Sequence, residues 1–218
     1  MISVEKIFDR SAATYDNMEE KRFMTTHNLT LEKTLKFLKP EDRVLDFGCA
    51  TGTKAIELAR HVKEIKGIDI SSKMIEAAKK KAAEKKIGNI NFAKVSLFGK
   101  DLNHDPFDVV VGFNILHLLE DPDHVVKRIH ELLKSGGLFI SVTTCLREHR
   151  TVLLRLQFLP FLLISKTGLF PELKRFKYKE LMDTIKGGNF KILETEVFFH
   201  EMSFLFVAAR KTDKKPNN

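Results

Sequence analysis

Cysteine is scarce: this chain of 218 residues has two, Cys49 and Cys145, far apart in sequence. That pair gives no disulfide framework and no zinc-ligand spacing. The expectation is a reduced, cytoplasmic protein in which each is a small packing residue. An apolar signal core is missing from the charged N-terminal run MISVEKIFDRSAATYD, so secretion is not supported. No transmembrane run is present either, because the most apolar stretch, TVLLRLQFLPFLLISKTGLF, is too short and is interrupted by Arg155 and Pro160. No shift of composition forces a second domain, and a chain 43% hydrophobic can bury the core of one α/β domain.

An acidic excess is absent as well. The net charge of +8 keeps nucleic acid and acidic membrane surfaces among the candidate partners. The lysines are spread out, however. The densest group, Lys79, Lys80, Lys81, Lys85 and Lys86, belongs to a helix beginning after Ser71 or Ser72, with Met74, Ile75, Ala78 and Ala82 as its buried stripe, and reads as a solvated face. A second cluster, KRFKYK at 174–179, interleaves aromatics with cations and is the better nucleic-acid candidate, although it also suits the wet start of a helix.

What the chain does have is VLDFGCATGT at 44–53. Val44, Leu45 and Phe47 read as a short buried strand, and the small residues Gly48, Cys49, Ala50, Thr51 and Gly52 allow a tight turn into the helical run KAIELA. The dinucleotide fingerprint needs glycine at the first, third and sixth places of such a turn. Here those places hold Gly48, Ala50 and Thr53, so the match fails. The carboxylate of Asp46 would repel a pyrophosphate and favours a ligand with a cationic amine. About twenty residues on, the run IKGIDIS ends a second strand at Asp69, whose two oxygens suit the hydroxyls of a ribose, with Ile70 beside it.

Acid, glycine, small residue, glycine and then an acid ending the next strand: Asp46, Gly48, Ala50, Gly52 and Asp69 in this order resemble the class I S-adenosylmethionine-dependent methyltransferases. The resemblance covers about 44–210 and implies S-adenosyl-L-methionine as cofactor. The family's first motif has a further glycine where Ala50 stands, an exchange expected to be mild because alanine costs little where φ is negative. Ser96 and Leu97 match the place where an acidic side chain and the next amide meet the adenine; serine is the weaker acceptor. Asn114, in FNILHLLEDP, matches the fourth motif, where strand end, methionine moiety and acceptor meet. Ile115 and Leu116 stand where enzymes acting on planar amino groups carry prolines, so the run is similar to the small-molecule branch. In that branch a helix with a Tyr-Asp pair, here within FDRSAATYDN, folds over the cofactor, which places the ring of Tyr15 against the sulfonium.

The alternation of elements agrees with a three-layer, Rossmann-like, mostly parallel α/β sheet. NINFAKVSLF, FDVVVGFN and GGLFISVTT follow as strands three to five, with a helix opened by Asp121 and Pro122, carrying Val125, Ile129, Leu132 and Leu133, and ended by Gly136 and Gly137. EVFFHEMSFLFVAAR reads as an antiparallel hairpin, the sixth and seventh strands. Residues 1–40 are expected to form an N-terminal helical cap, with a second helix from about Thr25 to Leu38, and 41–218 the cofactor-binding domain.

The chemistry implied is in-line methyl transfer to a small organic acceptor, apolar or acidic, in which alignment and exclusion of water matter most. If the nucleophile is a hydroxyl or an acidic carbon, His117 is the base best placed by sequence, although a helix residue packed among leucines has the same pattern. The segment at about 145–178 interrupts the alternation and reads as a substrate lid, with Arg147, Arg150 and Arg155 as partners for an acidic group. A membrane- or partner-touching surface, a homodimer interface and a helix packed on the sheet fit the same letters. The alternatives to a small-molecule enzyme are an RNA-binding or RNA-modifying protein on this fold, and a cofactor-binding protein without methyl transfer.

Overall fold

The computed structural model describes residues 4–102, 105–148, 173–199 and 202–213, and for residues 4, 18–23 and 199 the backbone alone. The seven strands are β1 (Arg43–Phe47), β2 (Glu64–Asp69), β3 (Ile90–Lys94), β4 (Phe107–Phe113), β5 (Leu133–Thr144), β6 (Phe190–Phe199) and β7 (Ser203–Lys211). They form one sheet in the order β3-β2-β1-β4-β5-β7-β6. The first five are parallel, β7 runs antiparallel between β5 and β6, and the expected terminal hairpin is present.

Helices cover both faces. On one side α1 (Val4–Leu35), α2 (Thr53–Leu58) and α3 (Ser72–Glu84) pack through Leu31, Ile56 and Ala78 on Val44, Val109, Val111, Ile140 and Phe206. On the other, α4 (Pro122–Leu132) and α5 (Tyr178–Gly187) pack through Val126, Ile129, Leu181 and Ile185 on Leu45, Val110, Phe139 and Leu205. Central strands buried on both faces need unbroken apolar runs, and VVVGF at 109–113 of β4 is one. Among the described residues no helix is long and apolar enough to cross a membrane.

Helix starts follow the expected chemistry. Ser71 Oγ accepts from the amide of Met74 at 3.1 Å and opens α3, whose buried stripe is Met74, Ile75, Ala78 and Ala82. Asp121 accepts from the amide of His124 at 3.0 Å, with Pro122 in the first turn of α4.

Two boundaries differ from expectation. The cap is one continuous helix, α1, rather than two, because residues 1–39 contain neither glycine nor proline to end a helix before Pro40. Helix α4 ends at Leu132, not at the glycine pair. Leu133 already pairs with Phe107 in the sheet, and Gly136, at φ +69°, sits in the irregular start of β5. Helical spacing alone does not separate Leu132 from Leu133, because both are buried, one under each regime.

Candidate active site

The C-terminal end of β1 runs straight into the turn that precedes α2. Three of its residues have left-handed backbone: Gly48 at φ +73°, Ala50 at +49° and Gly52 at +75°. The amides of Gly48 and Cys49 both donate to the carbonyl of Ile68 on the neighbouring strand, at 2.9 and 3.0 Å. A Cβ on Gly48 would stand 2.9 Å from the Ile115 side chain, and one on Gly52 2.5 Å from the ring of Phe92. Both glycines are therefore required twice, by φ and by close approach of the protein itself. The expected mildness of Ala50 does not hold in the way foreseen: its φ is positive, where an L-residue costs about 1–2 kcal/mol.

Asp69 bears on that strained residue. Its Oδ2 accepts from the amide of Ala50 at 3.1 Å, and its Oδ1 accepts from the amide of Ser71 at 2.9 Å. One carboxylate thus ties the turn after β1 to the turn after β2. Burial pushes its pKa above the usual value, against the pull of backbone amides from Ser71, Ala50 and Ile70. Ile70 is 40% exposed and offers an apolar surface next to it.

The turn opens onto a cleft lined by Tyr15, Asp46, Gly48, Cys49, Ala50, Thr51, Thr53, Lys54 and Phe113, with about 320 Å³ of empty space counting its open mouth. Asp46 is buried at its base. Burial, then the carboxylates of Asp46 and Asp69, push the Cys49 thiol well above its usual value, which disfavours a thiolate there. Cys145 behaves alike, pushed up to about 12 mainly by burial.

On the next strand, Asn114 follows β4 with φ +54°, its amide donating to Val142 O at 2.7 Å and its buried Oδ1 without a hydrogen-bond partner among the described residues. His117 lies in the short 3-10 turn Leu116–Leu118. Its Nδ1 is buried without a partner among the described residues, and burial pushes its pKa down to about 4. The imidazole is neutral at physiological pH.

The sequence profile of the methyltransferase-domain family matches residues 38–170, more than half of the chain. The chain belongs to the class I S-adenosylmethionine-dependent methyltransferase family. It is 29% identical over 138 residues to an uncharacterized methyltransferase, YcgJ, of Bacillus subtilis, covering 63% of this chain and 54% of that protein. It is 31% identical over 149 residues to the demethylmenaquinone methyltransferase of Lactococcus lactis, covering 65% and 58%. The chain thus spans less than two thirds of the length of either relative. Its fold is shared with magnesium protoporphyrin IX methyltransferase of Synechocystis, at a TM-score of 0.75 and 21% identity, with 96% of this chain and 98% of that one covered.

The predicted residues are not all brought to one place. Tyr15, Asp46, Gly48 and Ala50 meet in the cleft, with Asp69 and Ile70 joined to it through the Ala50 amide. Gly52 shapes the turn but does not line the cleft. Ser96 is exposed, and its hydroxyl accepts from the amide of Phe98 at 3.3 Å, while Leu97 is buried and its carbonyl accepts from Arg128 Nε at 3.3 Å. Arg147 is drawn to Glu180 at 2.6 Å, whereas Arg150 and Arg155 lie outside the described residues, with most of the 145–178 segment. The described ends of that segment meet beside the 3-10 turn: the Arg147 amide donates to Phe176 O at 3.2 Å, and that of Lys174 to His117 O at 2.7 Å. Phe176 is buried and Tyr178 packs with the same core, so the aromatics of the KRFKYK cluster face inward and present no stacking platform for bases. Sequence reasoning missed Lys54, Phe113 and the α1–α3 pair Asp16 and Lys81. The last two are signalled only by an Asp next to Tyr15 and by one lysine in a cluster of five.

Proposed function

We propose that the chain transfers a methyl group from S-adenosyl-L-methionine to a small organic acceptor by in-line displacement. The observation that carries this reading is the cleft at the end of β1, where a left-handed turn leaves open space between Asp46, Tyr15 and Phe113. The residues fit the group. Asp46 and Lys54 bring one acidic and one basic side chain to the same cleft, as a zwitterionic amino-acid tail requires. Asp69 keeps further acceptor capacity for ribose hydroxyls after its amide bonds, and exposed Ile70 provides an apolar seat for a flat ring. Ser96 and Leu97 lie at the adenine end, and Asn114 at the acceptor end.

When bound, the cofactor supplies an electrophilic methyl carbon with a neutral leaving group. The protein's part is alignment and exclusion of water. Tyr15 lines the cleft, and an aromatic ring there suits cationic charge. His117 is held neutral by burial, with a basicity far below that of an efficient base, so the transfer is read as needing no general base from it. The names borne by relatives, demethylmenaquinone and magnesium protoporphyrin IX methyltransferase, support a largely apolar, ring-bearing acceptor. Two free, buried cysteines support a reducing, cytoplasmic setting.

The test is calorimetric titration with S-adenosylmethionine and S-adenosylhomocysteine, on the wild type and on Asp69→Ala, followed by a screen of ring-bearing acceptors for methyl uptake. Losing charge-assisted hydrogen bonds at Asp69 is expected to weaken binding by about 1.5–3 kcal/mol. No heat with the wild type overturns the reading, and unchanged affinity in Asp69→Ala removes that residue's role. Binding without methyl uptake by any acceptor would mark a cofactor-binding protein instead.

A further inference from the structure

The N-terminal helix is held to the cofactor side of the sheet by its acids. Glu5, Asp9 and Asp16 are four and seven residues apart, which aligns them along one helical stripe. Glu5 Oε1 meets Lys94 Nζ at 2.6 Å. Asp9 Oδ1 accepts from Ser71 Oγ at 2.6 Å and from the amide of Lys73 at 3.1 Å, next to the residue whose own amide is held by Asp69. Asp16 reaches furthest into the site. Its Oδ1 accepts from the hydroxyls of Thr51 and Thr53, and its Oδ2 from Lys81 Nζ at 2.6 Å.

Lys81 completes a closed ring. Beyond Asp16, its ammonium donates to Thr53 Oγ1 at 2.6 Å and to Thr51 Oγ1 at 3.3 Å, so its three protons are all placed. Each threonine hydroxyl then accepts from the cation and donates to the anion. Both threonines line the cleft, and Tyr15, the neighbour of Asp16, lines it too. Burial opposes the charged form of Asp16, but Lys81, Thr51 and Thr53 outweigh it and hold the carboxyl below the usual range. Among the described side chains of α1 the first fully buried one is Thr26, and the apolar anchor, Leu31 with Leu29 and Leu35, lies in its last turns.

We propose that Asp16 and Lys81 are positioning residues that hold α1, and Tyr15 with it, over the cleft through Thr51 and Thr53, and so slow release of the cofactor. The proposal rests on the reading of the cleft as the S-adenosylmethionine site. A half-helix whose described anchors are mostly polar opens at lower cost than one seated on the core, and the strength of its charged contact then decides how long the cleft stays covered. Each threonine hydroxyl donates to the carboxylate while it accepts from the ammonium, so loss of either charge leaves both hydroxyls short of a partner.

The experiment measures affinity and dissociation rate of S-adenosylhomocysteine for the wild type, Asp16→Asn, Lys81→Met and the double variant, at low and high salt. Urea unfolding is run in parallel. The expected result is about tenfold weaker binding in each single variant, carried by faster release, with the unfolding midpoint unmoved. The double variant binds no more weakly than the single ones, because the same contact is lost in all three, and high salt moves the wild type toward the single variants. Single variants that bind as the wild type does overturn the proposal, as does weakening that follows a lowered unfolding midpoint, or a double variant in which the two losses add. Failure of the wild type to bind overturns the cleft reading instead and is told apart by that.

Discussion

Replacing Gly52 by alanine asks whether the turn is shaped by the protein's own packing or by its ligand. Gly52 stands at φ +75°, and an added Cβ would lie 2.5 Å from Cζ and 2.9 Å from Cε1 of Phe92, and 3.0 Å from Cβ of Ala78. The left-handed backbone costs an alanine about 1–2 kcal/mol, and overpacking costs about 1–3 kcal/mol more. The reduced freedom of the unfolded chain offsets about 0.4–1 kcal/mol of this. The expected loss is about 2–4 kcal/mol, or on the order of 10 °C in Tm for a domain of this size.

Phe92 gives the control. Its ring also fills the space beside Gly67 on the adjacent strand, where an added Cβ would be 2.5 Å away, so one aromatic side chain covers two glycines. In a Phe92→Leu background the clash at Gly52 is relieved, and Gly52→Ala is expected to cost only its backbone part. Urea unfolding followed by circular dichroism measures all four proteins of the cycle. A loss below about 0.5 kcal/mol in the wild-type background, or equal losses in both, would refute the reasoning. A bulkier Gly52→Val variant is correspondingly a poor probe of the cofactor: its failure would report packing against Phe92.

Ala50→Gly, at φ +49°, is expected to stabilise the fold by about 0.5–1 kcal/mol, the relief of left-handed strain less the entropy of glycine; a lowered Tm would contradict it. His117 is held near 4 by burial against 6.5 in the unfolded chain, so between these values the unfolded state binds the extra proton. Stability is then full above about 6.5 and falls as the pH drops toward 4, by at most about 3 kcal/mol because part of the residue reaches the surface. His117→Leu should flatten that stretch of the stability–pH curve, and an unchanged slope would show that other groups carry it. Phe176→Ala, removing a ring 3% exposed within the α5 core, is expected to cost about 3–5 kcal/mol in urea unfolding, whereas an exposed ring would cost almost nothing.

The elements were legible wherever one local signal decided them. Ser71 and Met74 lie three residues apart, and Asp121 and His124 likewise, so the starts of α3 and α4 are properties of four-residue strings. Strand β4 and the terminal hairpin were legible for a similar reason: runs such as VVVGF admit few alternatives in a sheet buried on both faces. The junction of α4 and β5 was not. Leu132 and Leu133 satisfy both periods, and the pairing of Leu133 with Phe107, twenty-six positions away, decides between them. The same limit explains the site. Asp46, Gly48, Ala50 and Asp69 stand in an order that can be read along the chain, but the backbone state of Ala50 cannot, since it follows from the grip of Asp69 on its amide.

Lys81 shows the limit most sharply. Read along the chain, it is one of five lysines at 79–86 outside the Met74–Ile75–Ala78–Ala82 stripe; Lys85 and Lys86 lie past the end of α3, and the four others are all exposed. Nothing in the helix distinguishes the fifth. Its distinction comes from α1, sixty-five residues earlier, and from two threonines of the turn whose hydroxyls complete its shell. A charge on a helix surface is solvated by default because water satisfies it at no conformational cost; only a partner with complementary geometry, brought there by a separate element, makes leaving water worthwhile. The stripe of acids at 5, 9 and 16 is that partner's signature, and it becomes readable once the helix is known to be continuous. Absence of glycine and proline through residue 39 is therefore informative beyond helix length: it puts Asp16 and Leu31 on one rigid body, so that the apolar anchor at one end of α1 sets where the charged ring closes at the other.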